Sequence, residues 1–313
     1  MSLTPRAVVI HRRTEFEELV AGHGTRQQAA FFLRTRGRTL EEVEARHAAQ
    51  LEASTLVAGA IPLEWRRGRV ERADLGRFIF GAEDVVVAVG QDGLVANVAK
   101  YLDSQPVIGV NPEPARNAGV LVTHSPAGVG DVLGTLATAH VQSLTMVRAV
   151  TDDGQTMLAL NEIYLGHASH QSARYRIQPP GEGGERQSSS GLLVGTGTGS
   201  TGWCRSVWLE RHSSLDLPRP EQASLCWFVR EAWPSPATGT ALTEGTLGPE
   251  EGLLVVAESD LVLFGDGIES DSISIGWGQG VTFSIASRPL RLVVSKQRSS
   301  ASASQQTANP KPS

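Results

Sequence analysis

The sequence predicts a doubly wound α/β domain at the N-terminal end and a β-rich domain at the C-terminal end. An apolar, β-branched run at residues 85–89 enters a glycine-bracketed turn and then a stretch with helical spacing. Strand-like and helix-like segments alternate through residues 1–143, which favours a doubly wound parallel sheet. From residue 144 to residue 294, short apolar runs separated by glycine and polar clusters replace that alternation, which is typical of a β-rich domain.

Composition narrows the class of protein. A chain of 313 residues is long enough to bury a sizeable core. Its 28 Lys and Arg against 33 Asp and Glu give a formal net charge of −5, so the whole chain has no electrostatic footprint for nucleic acid. The arginines of the first quarter are interleaved with glutamates, which indicates a solvated helical surface.

The sequence also bears on compartment and redox chemistry. No apolar run reaches the length that crosses a bilayer, so we expect no membrane partner. The apolar run at residues 7–10 is too short for a signal peptide. Cys204 and Cys226 have no C-x-x-C partner, so neither a disulfide framework nor a zinc site is indicated. We therefore expect a cytoplasmic protein.

Apolar patterning predicts the individual elements. In the first domain it predicts strands at residues 7–10, 61–65, 85–89 and 106–111, and helices at 14–19, 40–51, 94–102 and 127–140. In the second domain it predicts strands at residues 145–150, 157–160, 163–165, 175–177, 191–194, 224–228, 253–256, 261–264, 272–275, 281–285 and 290–294. Residues 295–313 are polar and low in complexity, which predicts a disordered tail.

The turn GQDG projects one carboxylate, Asp92, at the carboxyl end of the buried strand. Open α/β sheets commonly bind ligands at this position. Gly90 and Gly93 let a phosphate approach the backbone, and the N-terminus of the following helix favours anions. The alternative is that Asp92 only caps that helix.

A second glycine cluster, GTGTGSTGW, follows an apolar strand at residues 195–203. Its hydroxyls and backbone amides suit phosphate or ribose oxygens. No lysine follows, so it is not a Walker loop, and the βαβ unit of a dinucleotide fingerprint is missing. A purely structural turn is the alternative, and Trp203 and Trp208 either stack on a base or pack internally. The dipeptide Asn161-Glu162 can donate and accept toward a nucleoside, but taken alone it is uninformative.

Taken together and in this order, GQDG, Asn161-Glu162 and TGSTGW resemble the motifs of the NAD kinase family. PVIGVNPEPARNAGVL, ALNEIYLG and SSGLLVGTGTGSTGW around the motifs are similar too, and SIASRPLRLVV is similar to the closing strand of the family. The resemblance covers most of residues 7–294 and is nearest to the mitochondrial-type branch.

The resemblance implies an NAD kinase-like fold with the active site between the two domains. It also implies phosphate transfer from ATP to the 2′-hydroxyl of the adenosine ribose of NAD or NADH. Mg²⁺ would accompany ATP, no metal ligand of the protein is implied, and a homodimer is suggested.

The resemblance also implies roles for individual residues. Asp92 would accept the hydroxyl proton, and Gly90 and Gly93 would let phosphates approach. The residues expected to hold the NAD ribose or adenine or to line the dinucleotide pocket are Asn161, Glu162, Thr198, Gly199, Ser200, Thr201 and Trp203.

Three departures from the family pattern stand out. Gln91 replaces the second glycine of G-G-D-G, Leu94 replaces a Thr or Ser, and Trp203 stands where the family usually has Tyr. Gln91 places a side chain in the phosphate turn, which leaves open a non-enzymatic NAD(P)-binding regulator. A second alternative is a related kinase that acts on a lipid or sugar hydroxyl, since such kinases also carry G-G-D-G.

Overall fold

The computed structural model describes residues 4–294, and the predicted disordered tail at residues 295–313 lies outside them. The strands are β1 Arg6–His11, β2 Arg66–Glu71, β3 Asp84–Val89, β4 Pro106–Val110, β5 His140–Leu144, β6 Val147–Thr151, β7 Thr156–Ala159, β8 Glu162–Gly166, β9 Ala173–Gln178, β10 Glu185–Ser189, β11 Gly191–Gly195, β12 Leu225–Arg230, β13 Glu244–Leu247, β14 Leu253–Ala257, β15 Leu261–Gly265, β16 Ile273–Ile275, β17 Gly280–Ile285 and β18 Leu290–Val294. The α-helices are α1 Glu15–His23, α2 Arg26–Arg34, α3 Leu40–Ala60, α4 Asp92–Ala99, α5 Val129–Gly134 and α6 Trp203–Glu210.

The described chain divides into two compact units. Unit 1 holds residues 4–101, 105–142 and 291–294, and unit 2 holds residues 102–104 and 143–290. Unit 1 is built on one sheet with the strand order β2-β1-β3-β4-β18-β5. The pairs from β2 to β18 are parallel, and helices α3 and α5 cover the apolar side chains on one face. This is the α/β arrangement that the sequence predicts.

The strand at the centre of this sheet confirms the strand, turn and helix predicted around Asp92. Every residue of β3 is buried, because its neighbours β1 and β4 flank it within the sheet and helices cover it. The chain leaves β3 at Gly90, whose amide donates to the carbonyl of Val110 at 3.0 Å. Helix α4 begins directly after the turn at Asp92.

Other local predictions for unit 1 differ from the structure. The strand expected at residues 61–65 is wrong, since β2 is the charged segment RRGRVE at the edge of the sheet, where Arg66, Arg67 and Arg69 are exposed. Such an edge strand carries no apolar run to detect. The helix expected at residues 127–140 is only α5, flanked by short 3-10 turns, because Gly128, Gly130 and Gly134 weaken a longer helix.

Unit 2 is a sandwich of two antiparallel sheets. Their strand orders are β10-β9-β14-β17-β6-β7 and β13-β12-β11-β8-β15-β16. Inward side chains of both sheets, such as Tyr175, Trp227 and Phe283, form one core. Helix α6 packs on the outer face of β11 and β12, which is why Leu193 is buried as fully as its inward neighbours.

Two strands of unit 2 escaped prediction because they are polar. β10 has the sequence ERQSS and β13 the sequence EGTL, and both lie at sheet edges. The final strand β18 was grouped with the β-rich domain, but it pairs in parallel with β4 in unit 1. Within residues 4–294, no helix combines the length and the apolar character needed to cross a membrane.

Candidate functional site

The GQDG turn of unit 1 is anchored from both sides. Gln50 of α3 donates its side-chain amide to the carbonyl of Val89, the last residue of β3, at 2.8 Å. On the other side, the amide of Gly90 is bonded to β4. The turn therefore holds Asp92 at a fixed position at the carboxyl end of the parallel sheet.

Asp92 does not cap its own helix. Gln91 occupies the N-cap position of α4, and its side chain makes no capping hydrogen bond. The Asp92 carboxylate instead accepts from the backbone of another loop of unit 1. Oδ1 accepts from the amides of Val120, Leu121 and Val122 at 3.0, 2.8 and 3.0 Å, and Oδ2 shares the Val120 amide at 2.9 Å.

These contacts leave the two carboxylate oxygens unequal. Oδ1 is fully engaged with three amides, whereas Oδ2 shares one donor and keeps a lone pair that can accept a proton. Asp92 is also half-buried, so a ligand in the turn can reach it. The carboxylate is thus held rigidly with one oxygen still able to accept.

Gly93 is not required by the packing of the protein itself. A Cβ built on Gly93 would meet nothing within 4 Å. Gln91 is exposed, with its side chain outside the packed turn. Both observations fit a turn that approaches a ligand on its open side.

In unit 2 the second and third motifs lie against each other. The amide of Thr196 donates to the carbonyl of Asn161 at 2.9 Å, and the Thr196 hydroxyl donates to the carbonyl of Leu160 at 2.5 Å. A Cβ on Gly199 would lie 2.2 Å from the Asn161 carbonyl oxygen, so this position requires glycine. Two motifs that lie some 35 residues apart therefore form one cluster, which is called the NE–TGTGS cluster below.

Most polar groups of this loop are used within the protein, contrary to the open loop that the sequence predicts. The hydroxyls of Ser200 and Thr201 donate to the carbonyls of Thr196 and Thr198 at 3.0 and 2.9 Å. The Thr196 hydroxyl accepts from the amides of Thr198 and Gly199. The exception is the Thr198 hydroxyl, which is buried and has no hydrogen-bond partner among the described residues.

Glu162 is the charged group of the cluster. It opens β8, opposite Gly195 in β11, and no donor within residues 4–294 pairs with its carboxyl. Burial, and secondarily the negative charge of Asp266, raise the pKa of Glu162 to about 7. A half-buried carboxyl without a donor can accept from ligand hydroxyl or amide groups.

Trp203 makes protein contacts at the start of α6. Its ring stacks on Tyr164 with centroids 5.5 Å apart and planes 17° apart, and the guanidinium of Arg230 lies 5.3 Å from its centroid. These contacts fit the packing alternative for this ring. Its place in a dinucleotide pocket stays a prediction.

Sequence reasoning missed two residues that organise the cluster. Thr196 was counted only as one hydroxyl of the loop, and Asp266 was not singled out. The carboxylate of Asp266 accepts from the amides of Leu160 and Asn161 at 3.0 and 2.7 Å. The sequence does contain a signal for Asp266, because the tripeptide Gly265-Asp266-Gly267 comes at the end of an apolar strand, much as GQDG does.

The fold thus has two units, one carrying the GQDG turn and the other the NE–TGTGS cluster. Comparison with solved structures identifies the fold. An NAD kinase from Archaeoglobus fulgidus, solved in complex with ATP, superposes with a TM-score of 0.57 and 18% identity, over 94% of this chain and 95% of that one. The fold is therefore that of an NAD kinase, as the sequence predicts.

Sequence comparisons agree with the structural match. Human NAD kinase 2, mitochondrial, is 30% identical over 40% of this chain and 39% of its own length. The NAD kinase of Acinetobacter baylyi is 32% identical over 39% of this chain and 42% of its own. The matched region thus spans about two fifths of these curated relatives, and no family model matches the chain. The resemblance to NAD kinases that the three motifs predicted is confirmed.

Glu162 leads to a prediction on stability. Because its folded pKa of about 7 lies above the ordinary glutamate pKa of 4.5, the folded state holds a proton that the unfolded state releases. The free energy of unfolding should therefore fall as pH rises from about 4.5 to 7. We expect Glu162→Gln to raise it at pH 8 by about 1–3 kcal/mol relative to the native chain, with a smaller gain at pH 5.

Urea unfolding of both proteins at pH 5 and pH 8 checks this expectation. Glu210→Gln, on the exposed face of α6, is the matched control and should follow the native chain at both pH values. Equal pH dependence for the native chain and Glu162→Gln would show that the Glu162 carboxyl is not held in a destabilising site.

Proposed function

We propose that this protein phosphorylates the 2′-hydroxyl of the adenosine ribose of NAD or NADH, with ATP as the donor, to give NADP or NADPH. The observation that carries the proposal is the NE–TGTGS cluster. There, a folded loop packs against Asn161 and leaves the buried Thr198 hydroxyl without a partner, beside the half-buried Glu162 carboxyl, which has no protein donor within residues 4–294. A buried hydroxyl of this kind is uncommon unless a ligand or water satisfies it.

In this proposal the cluster holds the nucleoside. The side chain of Asn161 both donates and accepts, the Glu162 carboxylate accepts from hydroxyl or amide groups, and the Thr198 hydroxyl does either. Gly199, Ser200 and Thr201 act through the shape of the loop, because their own polar groups are used inside it. Similar proteins are NAD kinases, which supports NAD as the nucleotide that the cluster holds.

The GQDG turn is proposed to receive the phosphates of ATP. Gly90 and Gly93 keep side chains away from its backbone, and the amides at the start of α4 favour negative charge. The described residues contain no cluster of three His, Cys, Asp or Glu that would hold a metal ion. From the resemblance and the lack of a Walker lysine, Mg²⁺ is proposed to arrive on the ATP oxygens, where it neutralises phosphate charge.

Asp92 is proposed as the catalytic base. Oδ2 would take the proton of the 2′-hydroxyl as its oxygen attacks the terminal phosphorus of ATP and the bond to ADP breaks. The three amides on the carboxylate fix its orientation, so that little reorganisation is needed when the proton moves.

We propose a homodimer from the resemblance. From charge, cysteine usage and apolar patterning of the sequence we propose that it acts in the cytoplasm, with neither nucleic acid nor a membrane as a partner. Light scattering that gives the 33.3 kDa mass of one chain would reject the dimer. Localisation of a fluorescent fusion to an organelle would reject the compartment.

The first prediction concerns Asp92→Asn. An amide of the same shape cannot accept the hydroxyl proton, so kcat should fall by about 10²–10⁴. NAD affinity should stay within a few-fold of native, because the nucleoside contacts are proposed for other residues. Steady-state kinetics and NAD calorimetry measure the two quantities. Asp131→Asn, which changes an exposed carboxylate of α5, is the control. A kcat near the native value would leave Asp92 as a loop anchor only.

The second prediction concerns turnover and Gln91. Incubation of the native chain with ATP, Mg²⁺ and NAD or NADH should yield NADP or NADPH. Because Gln91 is exposed and makes no capping bond, Gln91→Gly should leave the KM for ATP nearly unchanged or raise activity.

Each alternative function predicts a different pattern in the same assay. A regulator shows no native turnover but gains it with Gln91→Gly, whereas a lipid or sugar kinase phosphorylates another acceptor and leaves NAD unchanged. A large rise in the KM for ATP with Gln91→Gly would show that the Gln91 amide binds phosphate.

A further inference from the structure

Asp266 connects the end of β15 to the NE–TGTGS cluster. Its two carboxylate oxygens accept from consecutive backbone amides, from Leu160 at 3.0 Å and from Asn161 at 2.7 Å. The residues lie 105 positions apart in the chain, so this contact is made by the tertiary fold. A carboxylate that accepts two adjacent amides fixes the backbone direction of the segment that carries them.

The contact is reciprocal. The amide of Asp266 donates to the carbonyl of Glu162 at 3.0 Å. The segment from Leu160 to Glu162 is therefore held by three hydrogen bonds from one residue. Asp266 itself adopts a left-handed conformation with φ of 52°. Asp tolerates this conformation better than most residues other than glycine.

Asp266 also acts on the charge of the cluster. Its carboxylate is near enough to Glu162 to disfavour ionisation of that carboxyl, in addition to the effect of burial. Asp266 thus holds the backbone of Asn161 and Glu162 and adds negative charge near the Glu162 carboxyl, which is also close to the thiols of Cys204 and Cys226.

We propose that Asp266 is a positioning residue for the nucleoside site, which orients the Asn161-Glu162 dipeptide and makes its affinity for NAD dependent on pH. The proposal rests on the proposed function of the cluster. The ionised Glu162 carboxylate is a stronger acceptor for the hydroxyl and amide groups of NAD than the neutral carboxyl, so affinity rises as pH increases through the range in which Glu162 titrates.

Asp266→Asn tests the proposal in the full chain. The substituted side chain offers its oxygen to one amide and turns its own N–H groups toward the other, so one of the two bonds is lost. We expect the Kd for NAD at pH 8 to rise about tenfold. Because a negative charge is removed, the titration midpoint of the Glu162 carboxyl should move to lower pH.

The test measures the Kd for NAD and the titration midpoint of Glu162, and it includes the variants Asp260→Asn and Asp266→Glu. Calorimetry at pH 6 and pH 8 gives the Kd for NAD. ¹³C NMR of the carboxyl carbon, assigned by comparison with Glu162→Gln, gives the midpoint without ligand. Asp260→Asn removes an exposed charge just before β15 and should leave both unchanged. Asp266→Glu keeps the charge but displaces the carboxylate by one methylene, so it should raise the Kd and largely preserve the midpoint.

The outcomes separate the inference from the proposed function. If Asp266→Asn lowers the melting temperature but keeps the native Kd for NAD and the native midpoint of Glu162, Asp266 only stabilises the fold and the inference is overturned. If the native chain does not bind NAD, the proposed function fails. The titration midpoint of the Glu162 carboxyl then tests the inference without NAD. An unchanged midpoint in Asp266→Asn overturns the inference, and a lower midpoint supports the electrostatic effect of Asp266 on Glu162. If Asp266→Asn does not fold, a native Kd in Asp266→Glu overturns the positioning role.

Discussion

The NE–TGTGS cluster depends on the way Thr196 joins two neighbouring strands at their ends. Its amide and hydroxyl bond to the carbonyls of Asn161 and Leu160, and its hydroxyl accepts the amides that open the next turn. Because one hydroxyl both donates and accepts, the end of β11 and the start of β8 are fixed together. Gly199 can then lie against Asn161 at a distance that excludes any side chain. The positions of Glu162 and Thr198 follow from this junction.

The same physical device recurs at the turn of the α/β unit. Asp92 and Asp266 each follow a strand and a glycine, and each carboxylate accepts consecutive backbone amides of a distant loop. A carboxylate is well suited to this task because two oxygens offer several lone pairs to donors that would otherwise be unsatisfied. In the β-rich unit, the polar groups that shape the loop are distinct from the Glu162 carboxyl and the Thr198 hydroxyl, which are left able to accept. At Asp92 one carboxylate does both, because Oδ1 holds the loop and Oδ2 shares only the Val120 amide.

Sequence patterns predicted the elements that are marked by apolar periodicity or by glycine. The buried run of β3, the turn at Asp92 and the strands of the sandwich have a local signal, since burial on both faces requires continuous β-branched residues. The polar edge strands β2, β10 and β13 have none, because their pairing is decided by neighbours distant in the chain. The candidate site likewise has features with a local sequence signal and features that depend on residues distant in the chain. Motif order indicated Asp92 and Glu162, but the internal use of the loop hydroxyls depends on packing that no local pattern encodes.

We propose that the NE–TGTGS cluster uses some hydroxyls to fold and leaves one, that of Thr198, for a nucleoside. NAD calorimetry and urea unfolding on the matched pair Thr196→Val and Thr198→Val separate these two uses. Thr196→Val should lower the free energy of unfolding by about 1–3 kcal/mol, because three bonds to its hydroxyl are lost. Thr198→Val should keep native stability and weaken NAD binding by about tenfold. Native NAD affinity in a stable Thr198→Val protein would show that NAD does not use the Thr198 hydroxyl.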